Sequence, residues 1–240
     1  MTNKPGPESA QIRRMFDTLA PRYDIFNQLM AMGLARSWRS KALSVLRPGM
    51  KVLDLGCGTG DLSIQAAAVL GKDGEVTAID FSEKMIEFGK RRLEKALSSG
   101  VRHAPVRFIL KKAEELPMEE GYYDLVVSGF VLRNIYENIG SILQGVRRSL
   151  KEGGRISFLD LTEPANPLIR ALWWLYMNTV AALYGKVLFG GDYPVLYLTE
   201  SANRFLKPRD FRERLKAAGF KEIETRTLML GTIVLYQAVK

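Results

Sequence analysis

The chain is short of the residues that catalysis most often uses. Its 240 residues include a single cysteine, Cys57, and a single histidine, His103. One cysteine cannot close an internal disulfide, so a reducing cytoplasm is the expected setting. Cys57 stands inside a glycine-rich turn and reads as a small filler rather than a nucleophile. His103 lies in the loop-like stretch Gly100-Val101-Arg102-His103-Ala104-Pro105 and is not expected to act as a base. No His/Cys/Asp cluster has metal-ligand spacing, so no metal is implied. No apolar run reaches the roughly 18 residues that a membrane-spanning helix needs. The first residues, Met1-Thr2-Asn3-Lys4-Pro5-Gly6-Pro7, are polar and do not read as a secretion signal. Repeats and low-complexity tracts are also missing.

What remains is ordinary globular material, 47% hydrophobic and 25% charged. The length suits one α/β domain over residues 1–240 with an elaboration. Lys and Arg exceed Asp and Glu, 35 to 26, for a net charge of +9. Such a balance favours an anionic contact, either a bilayer surface or nucleic acid.

The most telling stretch is Val52-Leu53-Asp54-Leu55-Gly56-Cys57-Gly58-Thr59-Gly60-Asp61, followed by Val76-Thr77-Ala78-Ile79-Asp80. An apolar strand runs into a glycine turn, then a helix, then a second strand that ends in an acid. This is the layout of a nucleotide-cofactor site. Glycines let the backbone approach a ligand, and Asp80 can accept from both hydroxyls of a ribose. The glycine spacing differs from the dinucleotide fingerprint, and Asp54 would repel a pyrophosphate. S-adenosylmethionine carries a cationic amine and sulfonium, so an acid is tolerated there. The D-x-G-x-G-x-G form with a later acid resembles the first two motifs of class I methyltransferases.

Around this motif the pattern predicts helices over 8–47, with Ile12, Met15, Phe16 and Leu19 at helical spacing and Pro21 breaking the run. A second helix passes through Phe26, Leu29 and Met30 to about Gly33, and a third spans Ser37 to Leu46. Strands follow at about 51–55, 75–79, 106–110, 123–128 and 155–161. Helices fall between them at about 60–70, from Ser82, and at 137–150, the last stopped by Gly153-Gly154. Alternation of this kind builds a doubly wound parallel sheet with ligands at the strand C-termini. Residues 164–205 interrupt it with an aromatic, apolar segment, which reads as a lid over an apolar substrate. A helix over 208–218 and strands near 221–229 and 231–239 finish the chain.

Three further signatures lie outside the glycine loop. They are Tyr23-Asp24-x-x-Asn27 followed by Gly33 and Trp38-Arg39, then Phe130-Val131-Leu132-Arg133-Asn134, then Tyr193-x-x-x-Tyr197-Leu198-x-x-Ser201. With the glycine loop they resemble the ubiquinone/menaquinone biosynthesis C-methyltransferases over residues 12–240. The resemblance implies methyl transfer from S-adenosylmethionine to a ring carbon of a polyprenyl quinol. It also implies a seven-stranded sheet of order 3-2-1-4-5-7-6 with strand 7 antiparallel. Cofactor contacts carried over by the resemblance fall on Thr59, Asp80, Lys112 and Ala113. Asp54, Gly56, Gly58 and Gly129 complete the expected cofactor set. Lys112 stands where the family usually has Asn or Asp, and Val131 where it usually has glycine.

Carbon methylation needs an ionised phenol, exclusion of water and alignment of the reactants. Arg133, just after the fourth strand, is the expected stabiliser of the phenolate. Asn134 is expected to orient the substrate oxygen, with Tyr23 and Asn27 closing the site from the N-terminal helices. Ordinary structural duties compete with each assignment: an ion pair for Arg133, a helix cap for Asn134, core packing for Tyr23. Rival functions are a phospholipid N-methyltransferase or other small-molecule methyltransferase on the same scaffold, a nucleic-acid methyltransferase or RNA-binding protein, and a non-catalytic cofactor-binding module. The expected partner is a small apolar quinol, with transient membrane-surface contact and self-association as further expectations and no nucleic acid. The expected location is the cytoplasm, peripheral at the inner face of a membrane.

Overall fold

Three helices, α1 (Ser9–Leu19), α2 (Tyr23–Met30) and α3 (Ala35–Ala42), precede the first strand in the computed structural model. The structure describes residues 9–98, 103–190 and 207–240. Pro21 breaks the first helical run as the sequence suggests, and α1 ends at Leu19. The proline sits early in a 3-10 turn, Ala20–Arg22, where its missing N–H costs nothing, and α1 passes through this turn into α2.

Alternation then begins with β1 (Lys51–Leu55), α4 (Asp61–Leu70), β2 (Glu75–Asp80), α5 (Glu83–Leu97) and β3 (Val106–Leu110). It continues through β4 (Tyr123–Gly129), α6 (Ile139–Ser149) and β5 (Leu150–Leu161). The described strands form one sheet of order β3-β2-β1-β4-β5-β7-β6, where β6 is Lys221–Leu228 and β7 is Ile233–Val239. Strands β1 to β5 pair in parallel, and β7 runs antiparallel to both neighbours. This is the expected order. The centre of the sheet is the most apolar part, with Val52, Leu53, Val126 and Val127 fully buried. Central parallel strands have helices on both faces and so read as continuous apolar runs. On one face Ile142, Leu143 and Val146 of α6 pack with Phe158 and Tyr236. Phe211 and Leu215 of α9 (Pro208–Ala217) join the same core. On the other face, Leu62, Ala66 and Leu70 of α4 cover Val52 and Val127.

The helix end expected near 150 is found at Ser149, but the fifth strand starts at Leu150 rather than near 155, for a clear reason. Gly153-Gly154 do not stop α6, which ends at Ser149 and passes directly into β5. The glycines sit instead in a β-bulge opposite Tyr123–Leu125, and Gly153 has φ +74°. Gly153 adopts this left-handed conformation without the steric cost that a Cβ would bring. The apolar interruption contributes α7 (Pro167–Tyr176) and α8 (Ala182–Phe189), joined through a π-helical turn, Met177–Ala181. Asn166 caps α7 by accepting from the Leu168 and Ile169 amides. Tyr193, Tyr197, Leu198 and Ser201 lie outside the described residues. Among the described residues, no helix is long and apolar enough to cross a membrane.

Candidate active site

The C-terminal ends of β1, β2 and β4 converge on a cavity of about 360 Å³. Its floor is the glycine loop. Gly56, Gly58 and Gly60 all have positive φ, between 53° and 81°. At Gly56 there is a second constraint, because a Cβ would lie 2.5 Å from a methyl of Val131. The two segments therefore fit together only with glycine on one side. Val131 packs directly against the glycine loop.

Four carboxylate residues line this cavity, Asp54, Asp61, Asp80 and Glu114, and two of them, Asp54 and Asp80, are buried. Asp54 is buried on β1, and its Oδ2 accepts a 2.6 Å hydrogen bond from the Ser63 hydroxyl. Its Oδ1 is buried with no hydrogen-bond partner. Burial pushes the carboxyl up to about 7. Asp80 ends β2, where its oxygens accept from the Gly58 and Ser82 amides, each at 2.9 Å. Burial raises it to about 6, and the amides of Ser82 and Gly58 hold it below where burial alone would leave it. An unsatisfied buried acceptor is costly unless a ligand supplies the donor. Asp54 Oδ1 therefore fits the cationic amine expected of S-adenosylmethionine. Asp80 lines the same cavity and keeps lone pairs beyond those used by the amides, so it fits the ribose hydroxyls expected there. Lys112, Ala113, Gly129 and Asn134 also line this cavity.

A second cavity, about 350 Å³ and mostly apolar, opens beside the first. Phe16, Tyr23, Arg39 and Phe130 line both. Its walls come from α1, α2, α7 and the β6–β7 turn, including Leu19, Phe26, Met30, Trp173, Met177 and Ile233. Arg133 faces this second cavity, while Asn134 faces the first. The two residues expected to act side by side are thus split between the cavities. The capping alternative for Asn134 is not realised either, since α6 starts at Ile139 with Asn138 in the cap position.

Arg133 is almost fully buried and pairs with the fully buried Asp160 at 2.8 Å. It also donates to the Phe130 carbonyl at 2.8 Å. Tyr23 shares a hydrogen bond with Asn27 and sits in the field of Arg133. Burial raises its phenol above the ordinary value near 10, which Arg133 and Asn27 offset only in part. Tyr23 therefore stays protonated and can donate a hydrogen bond.

Thr59 does more than line the cofactor cavity. Its hydroxyl donates to Asp24 on α2 at 2.6 Å, and Arg92 on α5 donates to its carbonyl and hydroxyl. Arg92 also pairs with Asp24 and Asp61, and Arg39 on α3 pairs with the other oxygen of Asp61 at 2.8 Å. On α1, Asp17 accepts from the Ser82 hydroxyl at 2.5 Å. This web ties the N-terminal helices over the glycine loop. Sequence reasoning missed Arg92, Asp160 and Arg39 as parts of the site. The one available signal was Asp160, an acid within an otherwise apolar strand end.

Residues 5–240 match the ubiE/COQ5 methyltransferase family. The chain is 33% identical over 245 residues to a demethylmenaquinone methyltransferase from Symbiobacterium thermophilum, covering 98% of this chain and 96% of that protein. It is 31% identical to the ubiquinone/menaquinone biosynthesis C-methyltransferase UbiE of Rhizobium johnstonii, covering 98% and 91%. Among solved structures it resembles the [4+2]-cyclase SpnF, with TM-score 0.70, 16% identity and coverage of 100% and 99%. A SAM-dependent methyltransferase from Aquifex aeolicus gives TM-score 0.58 at 18% identity, covering 84% and 88%.

Proposed function

The chain belongs to the ubiE/COQ5 methyltransferase family, and we propose that it methylates a ring carbon of a 2-polyprenyl quinol, a demethylmenaquinol or its benzoquinol counterpart. The observation that carries this reading is the pair of adjoining cavities, the first lined by the buried carboxyls of Asp54 and Asp80 and the second more apolar and lined by the buried Arg133. S-adenosylmethionine, when bound in the first, supplies an electrophilic methyl group. In that cavity Asp54 would hold the amine, Asp80 the ribose, and the glycine loop would allow close approach. Lys112 and Ala113 fit alongside, past the end of β3.

In the second cavity the chain favours an ionised acceptor. Arg133 remains a guanidinium, and burial strengthens its attraction for an oxyanion. Tyr23, held protonated, can donate to the same oxygen. No carboxylate or imidazole is among the described residues lining this cavity. Stabilising the phenolate lowers the pKa of the phenol itself, so its proton can leave to solvent before the methyl donor is engaged and no strong base is needed. The apolar walls exclude water and accept the prenyl tail. Such an acceptor resides in a bilayer, so the enzyme works at the cytoplasmic face of a membrane.

The first test offers labelled S-adenosylmethionine with a short-chain reduced demethylmenaquinone, with phosphatidylethanolamine and RNA in parallel. A ring-methylated quinol is expected. Label only in the lipid amine or the RNA would overturn the reading. Arg133 needs a second arrangement, because Arg133→Ala leaves Asp160 buried without its cation. Breaking one side of a buried pair costs about 3–5 kcal/mol, while replacing both sides with apolar groups is often neutral. The double variant Arg133→Met, Asp160→Asn removes both charges while keeping an acceptor for the Arg133 and Leu161 amides, so it should melt near the parent temperature and bind cofactor normally, yet lose turnover by about 100-fold or more. Parental turnover in that variant would make the arginine purely structural.

A further inference from the structure

We propose that the outward face of the α7–α8 helix, together with the mouth of the apolar cavity, is the surface on which this protein docks to an anionic bilayer. The inference rests on the quinol reading for its purpose but not for its geometry. Leu168, Leu175, Leu183 and Val187 are between 59% and 71% exposed. Lone exposed leucines are ordinary, but a continuous stripe is not. The stripe depends on the π turn at Met177–Ala181.

At about 100° per residue, Leu168, Leu172 and Leu175 lie within roughly 60° of one another. An uninterrupted α-helix would carry Leu183 and Val187 about 60° and 100° away from Leu168. One extra residue in a π turn sets the phase back by about 100°, which returns both to the same stripe. Trp173, Met177 and Ala181, spaced four residues apart, lie together on the opposite, buried face. The helix is therefore apolar on both sides. Its inner side walls the acceptor cavity, and its outer side meets no described residue of this chain that buries it.

The stripe is continuous with the cavity mouth. Leu172, Met32 and Leu230 line the cavity and are 58%, 59% and 76% exposed. Charge also favours a lipid surface. Residues 164–190 contain no Asp or Glu but include Lys186 and Arg170, the latter paired with Glu163 at 3.7 Å, within a chain of net charge +9. Arg22 reaches across to the Leu188 carbonyl at the end of α8, adding a cation there. An aliphatic face edged by cations is the pattern of helices that lie in the interface plane. In this orientation the cavity mouth faces the acyl chains, and a tailed acceptor can enter without crossing water.

The test sediments the full chain with phosphatidylglycerol/phosphatidylcholine vesicles, with no methyl donor or quinol present. Binding is expected, and it should weaken about tenfold or more in a variant with Leu168, Leu175, Leu183 and Val187 all changed to Gln. These four do not line the cavity, so turnover of a short-chain quinol in water should persist, while turnover of a long-chain quinol in vesicles should fall. Lys186→Glu should weaken binding at low salt and matter less at high salt. No vesicle binding by the parent, or equal binding by the fourfold variant, overturns the proposal. A concentration-dependent dimer that the variant abolishes, without vesicle binding, assigns the face to a second copy and also overturns it. Vesicle binding without quinol methylation would leave the surface standing and remove the proposed reaction.

Discussion

At the residue scale, Phe130 is the clearest case of local geometry serving the site. It follows β4 with φ +64°, a conformation that an L residue with a large side chain rarely adopts. Its amide donates to the Leu159 carbonyl at 2.7 Å, and its own carbonyl accepts from Arg133. The strained turn thus aims one carbonyl at the buried guanidinium while the ring borders both cavities. Left-handed backbone costs a residue with a Cβ about 1–2 kcal/mol. Phe130→Gly should therefore be more stable than Phe130→Ala by about 1 kcal/mol, the reverse of the usual order in regular structure. Both variants should lose turnover, because both remove the ring. Thermal melting of the pair checks the first point, and equal or inverted stability would mean that the backbone relaxes when the ring is gone.

At the scale of elements, the N-terminal helices are held by a charged web as well as by apolar packing. Asp24, Asp61, Thr59, Arg39 and Arg92 join α2 and α3 to the starts of α4 and the body of α5. Arg92 holds the centre, and it is about one-third exposed, so its pairs are partly screened. Arg92→Ala should weaken closure by about 1–2 kcal/mol in all, leaving the sheet intact. Limited proteolysis should then cut within residues 9–34 roughly tenfold faster, because 1.4 kcal/mol is a factor of ten in opening. Cofactor should restore much of the protection, and unchanged cleavage would show that apolar packing of Leu19 and Phe26 holds the helices alone. Legibility in the sequence follows the same division. Strands β1, β2 and β3 could be placed almost to the residue, because apolar runs and glycine turns are local signals. Asp54 and Asp80 could be found because the turn chemistry around them is local too. The Arg92 web joins residues separated by 31 to 68 positions, and no periodicity marks such a pair. Likewise the split of Arg133 and Asn134 between two cavities depends on how a single 3-10 turn, Leu132–Asn134, directs adjacent side chains.

For the molecule as a whole, the fold alone would not have fixed the chemistry, since a cyclase shares it at TM-score 0.70. The buried carboxyls give the whole chain a pH signature that the fold does not share by default. Burial raises Asp54 to about 7 and Asp80 to about 6, from an ordinary value of 3.8. Both native groups keep a proton over a range where the unfolded chain has lost it. Their contribution to stability is therefore fully present below about 3.8 and is lost as pH rises through about 6 and then 7. Without cofactor, the melting temperature should fall between pH 5.5 and pH 8. Cofactor binding runs the other way, because its cationic amine and ribose hydroxyls need the carboxylates ionised. The rise in melting temperature on adding S-adenosylmethionine should then grow over the same interval. Asp54→Asn removes one of the two groups. A shift of about three units corresponds to roughly 4 kcal/mol as an upper limit, so the variant without cofactor should be more stable than the parent at pH 8. It should also lose cofactor affinity by about tenfold or more at that pH. Net charge grows more positive on acidification and works against the native state in parent and variant alike, so the difference between the two isolates the carboxyl. A parent whose unliganded stability rises from pH 5.5 to 8, or an Asp54→Asn variant less stable than the parent at pH 8, would mean that Asp54 is satisfied within the protein rather than held in readiness for a cation.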